Sequence, residues 1–379
     1  MRILIIHNQL WAHYKAIIFN ELQKIVDTND ATELLVLQLA MVEKSRTALG
    51  QVDLSTHRYN YQLVHDGTLE EISLKERLIA MLKAVRKFKP DVVNLTGYYD
   101  IASWIILFYC KLLGIKTILS NESTLGDHIR GGIKEKFKSF IIRQFDGYFN
   151  FGTRSAEYLI TLGAKPEQLL VQRNCVDNKR LKELFDNAKR LVISKEQKSF
   201  IFIGRLIPFK NLPSFMEALE EVNAQVANPW GLIILGEGEQ KTELQQRSTG
   251  LSYPVTFING VSWEEIPTYL AQADALVLPS YSEPWGLVVN EAMACGMPVL
   301  VSEKCGCAID LVKEGINGFT FNPTNREDIK QALLEIMNQN LDLNNLGQQS
   351  INIIKDYSSE NVAKEMFEGY TKICQLGKK

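Results

Sequence analysis

SYSEPWGLVVNEAMACGMPVLVS, Ser280 to Ser302, contains a strand exit, a loop, a helix and the start of a second strand. The apolar run DALVLP (274–279) stops at Pro279, and a loop with Glu283, Pro284 and Gly286 follows. A helix is expected from near Leu287 to Gly296, because a glycine after the last periodic residue and a proline soon after it are stop signals. Such a helix presents free N–H groups and the positive end of its dipole at the strand ends, where a phosphate binds well. Glu291 lies four residues into the helix, roughly 6 Å along its axis at ~1.5 Å per residue. Two carboxylates at that interval can grip hydroxyls at different places on a long ligand whose diphosphate sits between them.

The same rhythm extends outward. RILII (2–6), ELLVLQL (33–39), DVVNLT (91–96), KTILS (116–120) and GYFNF (147–151) read as strands in the first half. SFIFIG (199–204), GLIIL (231–235), VTFIN (255–259), DALVLP and PVLVS (298–302) do so in the second. Helical patterns lie between them, among them Ala16–Val26, Leu74–Phe88 and Leu212–Asn223. Alternation of this kind builds parallel α/β sheets from right-handed βαβ units. The pattern restarts near residue 199, after the polar, Lys-rich stretch Asp177–Gln197. The expected domains are therefore 1–177 and 178–356, each a Rossmann-like layer. A last helix over about 357–376 is expected, by analogy with other two-lobed folds, to pack back on the first.

Taken singly, Glu283 reads as a solvated loop acid and Glu291 as a helix-surface acid. The whole segment, with its Glu-x7-Glu spacing and EAMACGMPV tail, resembles the signature of glycosyltransferase family 4, the retaining group 1 enzymes. The resemblance covers residues 199–330 closely and the N-terminal half more loosely. It implies a GT-B fold, with two Rossmann-like domains whose parallel sheets face each other across a cleft. It also implies that Glu283 contacts the hydroxyls of the donor sugar and Glu291 the nucleotide ribose. Backbone amides at Gly286 and Leu287 would hold the distal phosphate.

IFIGRLIPFKNLPSFMEAL (201–219) resembles the family's strand–Gly–Arg–loop–Lys–Asn element, with Arg205 and Lys210 at its basic positions. Both would neutralise the departing diphosphate, so no metal or other cofactor is expected; no Asp-x-Asp pair is present either. Asn211 is read as a helix cap. LGEGEQ (235–240) matches a Gly-x-Gly turn near the nucleotide, and the backbone near Val261 is placed against the base.

The N-terminal half departs from the family pattern, with no glycine between His7 and Leu22. Tyr14 and Lys15 are candidates to line an acceptor groove in place of the missing loop, and His7 and His13 read as packing or surface residues. NESTLGDHIRGG (121–132) supplies Asp127 and His128 as catalytic candidates, although a capped loop with a solvated histidine fits the same residues. The segment 129–145 is basic on one side and apolar on the other. It fits a helix packed on its own domain and equally a peripheral membrane contact. Ile101–Gly114 is too short to span a bilayer and reads as a buried helix.

Near-equal numbers of Lys plus Arg (42) and Asp plus Glu (44) give no support to nucleic-acid binding. The six cysteines are scattered, which suits reduced thiols in a cytoplasmic protein. Cys305 and Cys307 lack a second ligand pair for zinc. No G-x-G-x-x-G follows the first strand, which argues against a dinucleotide-dependent oxidoreductase. The expected activity is transfer of a hexose from a nucleotide-sugar donor, UDP-glucose first, to a glycan or lipid-linked acceptor in cell-surface polysaccharide synthesis, at the inner face of the membrane. A nucleotide-sugar 2-epimerase of the same fold and a non-catalytic nucleotide-sugar-binding protein remain as alternatives.

Overall fold

The apolar runs become the strands of two parallel sheets in a computed structural model that describes residues 1–49, 52–124, 133–192 and 197–375. One unit comprises Met1–Cys175 with Ser359–Lys379, and the other Val176–Ser358. In unit 1 the chain runs β1 (Arg2–Gln9), α1 (His13–Asp27), β2 (Glu33–Val42), β3 (Tyr61–Thr68), α2 (Leu74–Phe88), β4 (Val92–Thr96), α3 (Ile101–Leu112), β5 (Lys116–Asn121), α4 (Ile133–Ile142), β6 (Gly147–Asn150), α5 (Gly152–Thr161) and β7 (Leu169–Gln172). Unit 2 begins with α6 (Asn178–Lys189), β8 (Ser199–Ile203), α7 (Leu212–Asn223), β9 (Gly231–Leu235), α8 (Lys241–Ser248), β10 (Val255–Ile258) and α9 (Ile266–Leu270). It continues through β11 (Ala275–Leu278), α10 (Leu287–Ala294), β12 (Val299–Ser302), α11 (Ala308–Leu311), β13 (Gly318–Phe321), α12 (Arg326–Ile336) and α13 (Leu343–Ile354). The last helix, α14 (Ser359–Gln375), returns to unit 1.

Among the described residues the sheet of unit 1 has the order β3-β2-β1-β4-β5-β6-β7, and that of unit 2 the order β10-β9-β8-β11-β12-β13. In both, the first strand of the unit sits in the middle and the order reverses beside it, the doubly wound arrangement. Ile3–Ile6 of β1 pair with Leu34–Leu37 on one side and Val92–Leu95 on the other. Leu4 and Ile6 point to the α2–α3 face, Ile3 and Ile5 to the α1–α14 face. Alternation along a strand covered on both sides is why these runs are apolar throughout.

Three strands have no counterpart among the runs picked out from the sequence: β3, β7 and β13. Each lies at the edge of its sheet, where one side lacks a partner strand and the demand for a continuous apolar run is weaker. The polar stretch 177–197 is not simply a linker. Asp177 caps α6 by accepting from the Arg180 N–H at 2.9 Å, and Leu181 and Phe185 of that helix are buried. The division between units falls just before it, between Cys175 and Val176.

α14 is tied to unit 1 by polar as well as apolar contacts. The Asn94 side chain donates to the Tyr370 hydroxyl at 2.8 Å inside the core, and Arg173 pairs with Glu365. The expectation of a buried helix at 101–114 is corrected. α3 buries Ala102, Ser103, Ile106, Leu107 and Cys110, but it exposes the apolar stripe Ile101, Ile105, Phe108 and Leu112. Among the described residues no helix is long and apolar enough to cross a membrane.

Candidate functional site

Two loops meet at the carboxyl ends of β8 and β11, which pair where the strand order of unit 2 reverses. The first loop leaves β8 at Gly204 and holds Arg205 and Lys210. Its backbone pairs with the turn after β9: the Gly204 N–H donates to Leu235 O at 3.0 Å and the Leu206 N–H to Glu237 O at 2.8 Å. A Cβ on Gly236 would stand 1.9 Å from Gly204 O, so the Gly-x-Gly turn is dictated by close backbone approach. Pro208–Lys210 form one 3₁₀ turn. Asn211 follows in the left-handed region at φ 56° and does not cap α7 with its side chain. It donates instead to Pro323 O at 3.0 Å, which corrects its expected role.

The second loop is fastened to the first. The Tyr281 N–H donates to Phe209 O at 2.8 Å, and this bond carries Glu283 to Lys210, with which it forms an ion pair. Gly286 turns the chain into α10 at φ 102°, a conformation a residue with a Cβ adopts at a cost. The first amides of α10 then have no intrahelical acceptor. Trp285 is buried beneath the loop, and its indole N–H donates to Asn290 Oδ1 at 2.8 Å. From behind, the Gly306 N–H donates to Glu283 O at 2.8 Å and the Cys307 N–H to Trp285 O at 3.0 Å. A Cβ on Gly306 would lie 1.9 Å from Pro284 O.

Glu291 is half-buried one turn into α10 and has no side-chain hydrogen-bond or ion-pair partner among the described residues. Loss of water around it pushes its carboxyl up to about 7. Arg205 is exposed on the same loop as Lys210, also without a partner among the described residues. Val261 is half-buried in the loop after β10, two strands away from β8. Sequence reasoning passed over Ser280, whose hydroxyl is buried at the root of the second loop with no partner among the described residues. Its only signal was its place directly after the strand-ending Pro279.

In unit 1, Asp127 and His128 lie outside the described residues. Lys15 is buried in the first turn of α1, ion-paired with Glu122 at 3.3 Å, its ammonium 3.9 Å from the Phe151 ring centroid. Tyr14 next to it has its hydroxyl pKa raised by burial. His7 is a core residue, its Nδ1 3.0 Å from Gln38 Oε1, and burial beside Lys15 lowers it to about 4. His13 is likewise lowered to about 4 by burial and by Arg46.

A hollow of about 740 Å³ opens at the amino ends of β8 and β9, by Lys198, Ser199, Gly231 and Leu232. That is the opposite edge of the sheet from Arg205 and Glu283. Ligands of open α/β sheets bind at the carboxyl ends beside the order reversal, so the loop cluster is the candidate site.

Comparison with known proteins bears on the fold and on the family. Residues 184–352 match the family model of glycosyl transferases group 1. Solved structures superpose over nearly the whole chain. Anabaena Alr3699/HepE in complex with UDP gives a TM-score of 0.73 at 19% identity, covering 98% of this chain and 100% of that one. The Escherichia coli trehalose-6-phosphate protein bound with UDP-2-fluoro glucose gives 0.73 at 12%, covering 99% of each. The fold is GT-B. Within that GT-B frame, sulfoquinovosyl transferase SQD2 of Arabidopsis thaliana is 26% identical over 70% of this chain and 53% of its own length. Alpha-galactosylglucosyldiacylglycerol synthase of Streptococcus pneumoniae is 23% identical over 90% of this chain and 91% of its own. The chain spans about half the length of the first curated relatives it matches.

Proposed function

We propose that this protein is a retaining glycosyltransferase that moves a hexose from a nucleoside-diphosphate sugar to a hydroxyl of a glycan or lipid-linked acceptor. The observation that carries this reading is the Lys210–Glu283 pair standing before the amino end of α10 at the order reversal of unit 2. A cation, an acid and unpaired amides in one place match a sugar diphosphate group by group. The α10 amides at Gly286 and Leu287, with Arg205 and Lys210, take the diphosphate. Glu283 takes hydroxyls of the hexose and Glu291 those of the ribose, while the loop at Val261 lies against the base. UDP-glucose is the first donor to try, supported by UDP-glucose in a solved complex of HepE. A lipid-linked acceptor is supported by the name of the pneumococcal relative.

In the reaction the bond from the anomeric carbon to the phosphate oxygen breaks. A bond to the acceptor oxygen forms on the same face, and the acceptor's proton passes to the departing phosphate oxygen. Negative charge then grows against Arg205 and Lys210, of which Lys210 is held beforehand by Glu283. Asp127 and His128 are proposed to orient the acceptor hydroxyl.

The test is a turnover screen of UDP-, GDP- and ADP-sugars with an acceptor panel, run with Glu283→Gln and Lys210→Ala and repeated in EDTA. Each substitution is expected to lower kcat/KM about 10²–10³-fold on the preferred donor, and EDTA to leave turnover unchanged. Full activity in both variants would remove the site assignment. Conversion of the donor with no acceptor present would replace transfer by epimerisation or hydrolysis.

A further inference from the structure

Of the large apolar side chains that unit 2 exposes among the described residues, the two aromatic ones stand on the two loops of the candidate site. Phe209 of the first loop is 64% exposed and Tyr281 of the second 40%. The others, Leu191, Ile309 and Ile316, are aliphatic and lie away from these loops. Phe209 directly precedes Lys210, and Tyr281 comes two residues before Glu283. Lys210 and Glu283 are mostly withdrawn from water as a pair, while the two rings stay in it. Rings of this size left in water forgo apolar burial.

Both rings are held at their places. Pro208 opens the 3₁₀ turn that contains Phe209 and fixes its own φ. The bond from the Tyr281 N–H to Phe209 O joins the two residues backbone to backbone. The Tyr281 hydroxyl lies 3.4 Å from Ser214 Oγ in the first turn of α7, where one hydroxyl donates to the other.

A pyranose has the matching chemistry. Its hydroxyls radiate from the rim, and its C–H bonds give it an apolar face with slightly positive hydrogens. That face fits the negative face of an aromatic ring and gains from leaving water. A nucleotide base also stacks, but on the reading above the base belongs to the loop of Val261, beyond the edge strand β10. An alkyl chain packs on aliphatic side chains as well as on aromatic ones, so it gives no reason for two rings here.

We propose that Phe209 and Tyr281 form a stacking platform for the pyranose ring that carries the acceptor hydroxyl. The acceptor is then a sugar residue of a glycan or glycolipid, not the alcohol of a bare lipid or an acyclic polyol. The proposal rests on the transferase reading of the Lys210–Glu283 site. At reaction the acceptor oxygen stands roughly 3–3.5 Å from the anomeric carbon, and that carbon belongs to the hexose assigned to Glu283. The accepting ring therefore lies within about its own width of that hexose, beside the parts of the loops that carry Phe209 and Tyr281. Stacking fixes the plane of the ring and leaves the rim to select which hydroxyl is presented.

The experiment is saturation-transfer NMR of the full chain in the presence of UDP. The probes are the methyl α- and β-glucopyranosides, methyl β-galactopyranoside, glycerol and monooctanoylglycerol. Saturation is expected to enter the glycosides through their ring C–H protons. Phe209→Ala and Tyr281→Ala should each weaken glycoside affinity about five-fold. UDP affinity and Tm should stay unchanged, because the backbone bond between the loops remains. Tyr281→Phe should keep the glycoside affinity and Phe209→Leu should lose it. In turnover with the best-accepting sugar, both alanine variants should raise the acceptor KM and leave the donor KM unchanged. Absence of glycoside binding would overturn the proposal, as would binding that neither alanine variant weakens or that Phe209→Leu preserves. Tighter binding of monooctanoylglycerol than of every glycoside would do so too. The transferase reading fails by a different sign, a Lys210→Ala variant whose UDP affinity is unchanged.

Discussion

Glu291 carries a carboxyl whose chemistry departs from its usual behaviour. Burial lifts its carboxyl from an ordinary value near 4.5 to about 7, so between those limits the folded chain holds a proton that the unfolded chain has released. Stability therefore falls as pH rises from about 4.5 to 7 and is level above, a change of about 3 kcal/mol at most. Glu291→Gln should raise the Tm of unit 2 at pH 8 and leave it unchanged at pH 4.5. In a donor complex the ribose hydroxyls need a carboxylate to accept from them, so nucleotide affinity should weaken as pH drops below 7. Calorimetry across that range checks both, and a flat Tm difference between wild type and variant would refute the burial account. Gly306 is a second residue with a definite consequence. Gly306→Ala pushes a methyl into Pro284 O and shifts the backbone that carries Glu283. It should raise the donor KM at least ten-fold, and an unchanged KM would break the link between that turn and the site. Glu283 and Glu291 were legible because they share one continuous motif. Gly306 and Ser280 were not, since what matters there is a backbone contact between distant segments or a buried hydroxyl without a partner, and neither leaves a periodic trace.

At the scale of elements, α14 shows how a terminal helix is held. Its Tyr370 hydroxyl satisfies the buried Asn94 amide, so Tyr370→Phe leaves that donor unpaired at a cost of about 1–3 kcal/mol. The expected result is a Tm lower by several degrees in unit 1, measured by calorimetry; no change would mean the amide had found another acceptor. The strands read from the sequence were those with apolar residues on both faces, such as β1, β8 and β11. β3 lacks that signal because it is half-exposed, and β7 and β13 because four residues are too few to show it. α3 was misread for the complementary reason. Composition records how many apolar residues a helix has but not whether both sides find a neighbour. Lys210 and Glu283, by contrast, were assigned to one site from two separate motifs, and the Tyr281–Phe209 bond is the physical reason they meet.

On the scale of the whole molecule, the two units are set to respond to acid in opposite senses. His7, His13 and His57, all in unit 1, are each lowered from 6.5 to about 4, with burial the first cause. The unfolded chain takes up protons there that the folded unit refuses, so the stability of unit 1 is lost as pH falls from 6.5 towards 4. Over the upper part of the same window Glu291 strengthens unit 2. Thermal unfolding followed from pH 7 to 5 should separate into two transitions that move apart or cross, and parallel movement of both would contradict the assignment. The parallel α/β character of both sheets followed from alternating strand and helix patterns; the opposed titration did not, because it depends on which side chains end up without water.

The return of α14 to unit 1 makes unit 2 an insertion between two parts of the other unit. During synthesis every residue of unit 2 leaves the ribosome before the helix that covers the α1 side of the first sheet. Until then Ile3, Ile5, Val36 and Val92 have one face of their sheet incompletely roofed. The nascent chain thus completes its second unit first, and the first stays exposed to chaperones and proteases until its closing helix is made.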